Sequence, residues 1–184
     1  YILNISGWLL LPFMDGIAKY LSSEIHFIQV VWGRYFFMLL VSFPLAFIFF
    51  RKEISFPKTI SVQLFRSFFL FLSTVFFFYA ISVITLAEAL TLAFISPIIV
   101  TILSIFYLKE KVSLIGLISI FLAMSGIIIM VGDSISGGSL FGNVVALAIP
   151  INFAILVMMI RKNTKVDMVP AIFYSGIFSL IYGF

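Results

Sequence analysis

Long apolar runs separated by short polar breaks organise this chain. Six complete runs cover residues 2–21, 26–50, 64–84, 87–108, 112–131 and 140–160, and a seventh, expected to be truncated, begins near 169 and runs to 184. Each complete run is about 20 to 25 residues, the length a helix needs to cross roughly 30 Å of hydrocarbon with some tilt. Barrel strands would be about half as long and would alternate apolar with polar positions; these runs do not. The pattern predicts an all-α integral membrane protein, a bundle of about seven hydrophobic helices. The breaks after 84 and 108 are very short, so the third, fourth and fifth helices are expected to pack as antiparallel neighbours.

Charge adds a direction to this picture. Nine of the eleven Lys and Arg residues lie in three breaks, 51–66, 109–111 and 161–165. The intervening breaks, 22–26, 84–86 and 133–139, contain none. Cytoplasmic loops of membrane proteins carry the positive charge, so the basic breaks and the N-terminus are expected on the cytoplasmic side. Composition agrees with embedding: 64% of residues are hydrophobic and 10% charged, against about 25% charged in soluble domains. The formal charge of +4 is explained by loop topology, which removes the argument for nucleic acid as a partner. With no Cys, one His, no HExxH and no phosphate loop, the sequence offers no enzymatic centre, metal site or cofactor site.

The Gly- and Ser-rich break at 133–139 divides the chain. Residues 1–132 read as a first five-helix unit, 133–139 as an extracytoplasmic linker, and 140–184 as the truncated start of a second unit. Gly142-Asn143-Val144 echoes Gly7-Trp8-Leu9, and on that alignment Pro150 and Asn152 fall near Asp15. An odd number of helices repeated once must have inverted topology, a common transporter architecture. The expectation is a fragment of a ten-helix, 5+5 inverted-repeat protein.

Polar residues inside the apolar runs are the candidate chemistry. Asp15 lies about 9 Å below the outer end of the first run and Arg34 about 12 Å below that of the second, at about 1.5 Å per residue. They share one layer, and a buried Asp15–Arg34 pair fits that geometry. Lys19 sits one turn above Asp15, at a spacing that would let it share the same carboxylate. Two readings stand: a structural ion cluster, whose breakage would cost about 3–5 kcal/mol, or charges that meet a substrate. Glu88 reads as a solvated helix-start carboxylate or as a contact at the outer mouth. Tyr79 and Ser96 read as cavity lining or as polar glue between helices. Pro97, near mid-membrane, should free a backbone carbonyl and interrupt the fourth helix; Pro150 with Asn152 poses the same choice in the sixth. Gly116, Ser119, Ala123 and Gly126 are expected to let the fifth helix approach a neighbour closely.

Several segments carry a family resemblance. Asp15-Gly16-Ile17-Ala18-Lys19-Tyr20-Leu21 followed by Arg34-Tyr35-Phe36 resembles the first two helices of the EamA-like branch of the drug/metabolite transporter superfamily. Arg66 through Tyr79-Ala80-Ile81 is similar to its third helix. Ser96-Pro97 with Leu108-Lys109-Glu110-Lys111 resembles its fourth helix and following turn, and Gly116 and Gly126 resemble its fifth. The Asp15 to Leu21 start, His26 and the Arg66 start of the third helix look closest to bacterial S-adenosylmethionine uptake carriers. The resemblance implies ten helices in two inverted repeats, a cytoplasmic N-terminus, and a central cavity lined by helices one, three, four and six.

Together these readings point to a secondary transporter of the bacterial inner membrane that works by alternating access. The expected substrate is a small polar metabolite, S-adenosylmethionine or an amino-acid-like compound. Asp15, Lys19, Arg34, Tyr79, Glu88, Ser96, Pro97 and Asn152 are the substrate-binding or gating candidates. The expected partners are the lipid bilayer and the metabolite; a homodimer stays open. The competing reading is a non-transporting membrane assembly subunit whose charges are purely structural.

Overall fold

The computed structural model describes residues 2–49, 60–110, 113–132, 139–162 and 168–182. The linker residues 133–138 and the basic residues Arg51, Lys52, Lys58, Lys111 and Lys165 lie outside them. The described residues form helices α1 (Ile2–Glu24), α2 (Phe27–Phe49), α3 (Ile60–Val83), α4 (Leu86–Ala93), α5 (Ser96–Leu103), α6 (Leu114–Gly132), α7 (Leu140–Lys162) and α8 (Met168–Tyr182), with no strand among them. A π-helical turn, Ser104–Leu108, extends α5. Each predicted run is present, with the fourth divided into α4, α5 and the π turn. Four stretches among the described residues are long and apolar enough to cross a bilayer: Phe27–Pro44, Ile60–Val83, Leu86–Leu108 and Phe141–Lys162.

The distribution of side chains follows a lipid solvent. Large apolar groups such as Leu9, Phe13, Phe37, Ile48, Phe65 and Phe106 are exposed, while Asp15, Gln63, Ser67, Thr74, Glu88 and Asn152 are buried. In hydrocarbon the apolar face gains nothing by hiding, whereas polar groups need partners. The buried positions on α3 show this directly. Gln63, Ser67, Thr74, Phe78 and Ile81 fall at helical spacing on one face.

That face makes α3 the centre of the bundle, where it packs on α1, α2, α4, α7 and α8. Fully buried alanines, Ala80 on α3 and Ala146 on α7, let backbones approach closely. Side-chain hydrogen bonds tie the other neighbours. Gln63 Nε2 donates to Ser175 Oγ on α8 at 3.0 Å, and the Tyr35 hydroxyl of α2 meets Thr74 Oγ1 at 2.8 Å.

The fourth run breaks where proline chemistry requires. Pro97 has no N–H for the carbonyl of Ala93, four residues earlier. The helix stops at Ala93 and restarts at Ser96, with Pro97 in its first turn. The Ser96 hydroxyl donates to the freed Ala93 carbonyl at 2.6 Å. The α6 expectation is corrected. Ser119, Ala123 and Gly126 are exposed, and a Cβ built on Gly126 has nothing within 4 Å. α6 sits at the periphery against α4, with Ser119, Ala123 and Gly126 turned outward.

Gly142 is a glycine that packing does require. A Cβ there would stand 2.8 Å from Ile84 Cγ2 and 3.2 Å from Val83 Cγ1, both β-branched and unable to turn away freely. Gly142→Leu is expected to lower stability by about 1–3 kcal/mol through overpacking. Gly126→Ala should leave it unchanged or raise it by up to about 1 kcal/mol. Thermal unfolding of the full-length protein in detergent compares the two; equal Tm values would show that α7 is not seated on the α3–α4 corner.

Candidate functional site

A cavity of about 420 Å³ opens inside the bundle. Its walls come from α1 (Leu11, Asp15), α2 (Arg34), α3 (Leu70, Ser73, Thr74, Phe77), the α4–α5 break (Leu90, Ala93, Phe94, Ser96, Pro97) and α7 (Ile149, Phe153). The volume lies in the range of small-molecule sites, which are mostly apolar with a few placed polar groups. Four of the candidates, Asp15, Arg34, Ser96 and Pro97, line it together.

The two charges face the cavity without joining. Asp15 is 3% exposed, and Arg34 is the charge that acts on it electrostatically. No ion pair forms between them: among the described residues the ion pair within 4.0 Å is Arg161–Glu110. The expected direct Asp15–Arg34 pair is therefore corrected. Arg34 instead lays its guanidinium over the Phe78 ring, 5.5 Å from the centroid, a contact that retains the charge and holds the side chain in place. An acidic and a basic side chain thus line one cavity without bridging it.

Lys19 does not share the Asp15 carboxylate. Its ammonium donates to the carbonyls of Ile81 and, at 3.0 Å, Ile84 at the end of α3. The reason lies in the next helix. In a continuous helix those carbonyls would receive the N–H groups of Thr85 and Glu88, four residues on. A capping box takes both donors: Thr85 N–H donates to Glu88 Oε2 at 2.8 Å, and Glu88 N–H to Thr85 Oγ1 at 3.2 Å. Lys19 supplies the missing donors, at a helix C-terminus where a cation is also favoured electrostatically.

The same capping box places Glu88. It is a helix-start carboxylate, as expected, but buried at 7% exposure rather than solvated, and it is committed to its own helix. Tyr79 lies away from the cavity, its ring edge-on to Phe27 and Phe141 with centroids 5.3 and 6.1 Å away. Asn152 is buried beside the lining residue Phe153, and its Nδ2 donates to the Ala148 carbonyl at 2.7 Å.

Ser73, Thr74 and Phe77 line the cavity from α3 but were not among the candidates. Thr74 lies on the Gln63–Ser67 polar stripe at helical spacing, a signal present in the sequence. Thr74 Oγ1 donates to the Leu70 carbonyl at 2.9 Å as well as meeting Tyr35, so α2 and α3 are locked beside the cavity.

The described helices form an apolar, multi-pass bundle around a cavity lined by one acidic and one basic side chain. The model of the EamA-like transporter family matches residues 8–132. The chain belongs to that family. It is 24% identical over 184 residues to the S-adenosylmethionine uptake transporter of Rickettsia bellii (strain RML369-C), covering 95% of this chain and 62% of that protein. It is 27% and 26% identical over 111 residues to the proteins of the same name from Rickettsia conorii (strain ATCC VR-613 / Malish 7) and Rickettsia felis (strain ATCC VR-1525 / URRWXCal2). Those alignments cover 58% of this chain and 37% of each relative. The chain thus spans less than two thirds of the length of these relatives. No solved structure matches it.

Lys19→Met would leave the Ile81 and Ile84 carbonyls without a donor where water is scarce. It is expected to lower stability by about 1–3 kcal/mol, and Lys19→Arg by less. Thermal unfolding of the full-length protein in detergent measures this; a Lys19→Met protein as stable as its parent would show that the α1–α3 contact is dispensable.

Proposed function

We propose that this chain forms part of a secondary carrier for a small polar metabolite, working by alternating access in a bacterial inner membrane. The observation that carries this reading is the cavity in which Asp15 and Arg34 face one another unbridged. A purely structural pair would be expected to close, because two desolvated charges gain most when hydrogen-bonded to each other. Charges kept apart across a cavity suit a zwitterionic ligand. Its carboxylate would meet Arg34 and its cationic group Asp15, while Phe77, Phe94 and Phe153 offer aromatic surface. S-adenosylmethionine has these features, as do amino-acid-like compounds, and the names of the relatives favour the former.

The topology we propose has cytoplasmic basic breaks and a cytoplasmic N-terminus. Residues 1–132 would form a first five-helix repeat, 133–139 a linker, and 140–184 the start of an inverted second repeat. The assembly-subunit reading draws on the Arg34–Phe78 contact, which would anchor α2 whether or not a ligand exists.

Uptake of labelled S-adenosylmethionine, amino acids and nucleotide sugars into proteoliposomes of the full-length protein separates the two. Saturable uptake or exchange of a zwitterion is expected. Arg34→Ala and Asp15→Asn should each reduce it at least tenfold, about 1.4 kcal/mol of lost interaction, with unchanged membrane insertion. Absence of saturable uptake for every compound would favour the assembly subunit. Wild-type rates in both variants would remove these two residues from the site.

A further inference from the structure

The end of α5 is built differently from an ordinary helix terminus. In the π turn the Ser104 carbonyl accepts the N–H of Lys109, five residues on, and also that of Glu110 at 3.3 Å. Lys109 closes the turn in the left-handed region at φ 54°, a conformation that disfavours any residue with a Cβ. Single π turns occur often at functional positions. This one reverses the chain so that Glu110 stands beside the last turn of α7.

Both cations that end α7 engage that turn. Arg161 Nη1 lies 3.1 Å from Glu110 Oε2 and 3.4 Å from Ser104 Oγ. Ser104 is buried at 3% exposure and donates its own hydroxyl hydrogen to the Val100 carbonyl at 2.8 Å. Its oxygen is therefore oriented as an acceptor for the guanidinium. The Lys162 ammonium sits over the Tyr107 ring, 5.1 Å from the centroid. The guanidinium thus spans the two ends of the π turn while the ammonium covers its middle.

The same two helices wall the cavity. Ser96 and Pro97 begin α5, and Ile149 lines the cavity from α7, twelve residues or about 18 Å from Arg161 along the helix. A contact that pins the far ends of α5 and α7 fixes the seam between them.

We propose that Arg161 and Glu110 form a latch that closes the basic end of the α5–α7 seam in one carrier state, and that opening this end requires its release. This rests on the carrier reading above. The side chains are 46% and 49% exposed, so the pair is weak and readily exchanged with water. That suits a contact broken in every cycle, which a buried pair would resist. If the cations served only as helix-end and headgroup anchors, Glu110 would be irrelevant to them.

The test places a reporter, Ser73→Cys, in the cavity of the full-length protein with any other cysteines replaced. A membrane-impermeant maleimide is then added from the basic side. Glu110→Gln and Arg161→Gln are each expected to raise the labelling rate about two- to fivefold, the range of an exposed ion pair. The double variant should gain no more than either single one, and the swap Glu110→Arg with Arg161→Glu should return the rate toward that of the reporter alone. Additive single effects, unchanged rates, or no labelling from that side in any variant would overturn the latch. Labelling does not require transport. Failure of parental uptake therefore counts against the carrier reading alone, and normal uptake with unchanged labelling counts against the latch alone.

Discussion

The α3–α4 corner depends on one ammonium. A carbonyl buried in the protein cannot fall back on water, and the capping box that starts α4 removes the N–H donors from the buried Ile81 and Ile84. Lys19 restores both contacts from another helix. The consequence reaches the cavity, because Asp15 lies one turn away on the same helix. Docking α1 on the corner sets the depth of the carboxylate. α7 takes its position from the same corner, with Gly142 seated against Val83 and Ile84. Three cavity walls are thus registered on a single junction.

That registration explains how two charges can stay apart in a small space. Arg34 is held over Phe78, and Phe78 is buried on α3. Asp15 is held by α1, which Lys19 fixes to the end of α3. Each charge is positioned through α3 rather than by the other. Collapse into an ion pair would require moving a docked helix or lifting the guanidinium off its ring. The two charges are consequently held at a fixed spacing, which suits the zwitterionic ligand proposed above.

Run length and scarcity of charge were enough to expose the helices in the sequence, because the bilayer imposes both. The break before Pro97 was legible for a similar reason: the missing N–H is a property of the residue itself. The partners of Lys19 and Glu88 were not. Depth along a helix places Lys19 near Asp15, but its bonding is decided by a competition for backbone donors around residue 85, which spacing does not reveal. Tyr79 had two readings, cavity lining or contact between helices, and only the second fits its place against Phe27 and Phe141, because polarity alone says nothing of direction. Thr74, five residues earlier, occupies the inward face, and only the stripe through Gln63 and Ser67 separates the two. On α6, small residues at packing distance looked like a contact surface, although Ser119, Ala123 and Gly126 are exposed.

The irregularities of the fourth run acquire a common meaning once the partners are known. α5 is an eight-residue helix with a proline break at one end and a π turn at the other. Each end is completed by side chains: Ser96 on the Ala93 carbonyl, and Arg161 on Ser104 and Glu110. Two helix interruptions inside one membrane-length run would be costly as accidents, since each frees backbone groups in a poor solvent for them. Here the freed Ala93 carbonyl has a local acceptor role, and the break adds lining to the cavity. The π turn presents Glu110 to α7. A short rigid segment bounded by two such joints can tilt with less disturbance to its neighbours than a continuous helix, because hinges absorb motion in a few residues. The joint beside the charged cavity and the joint beside the exposed ion pair therefore bound one short helical segment.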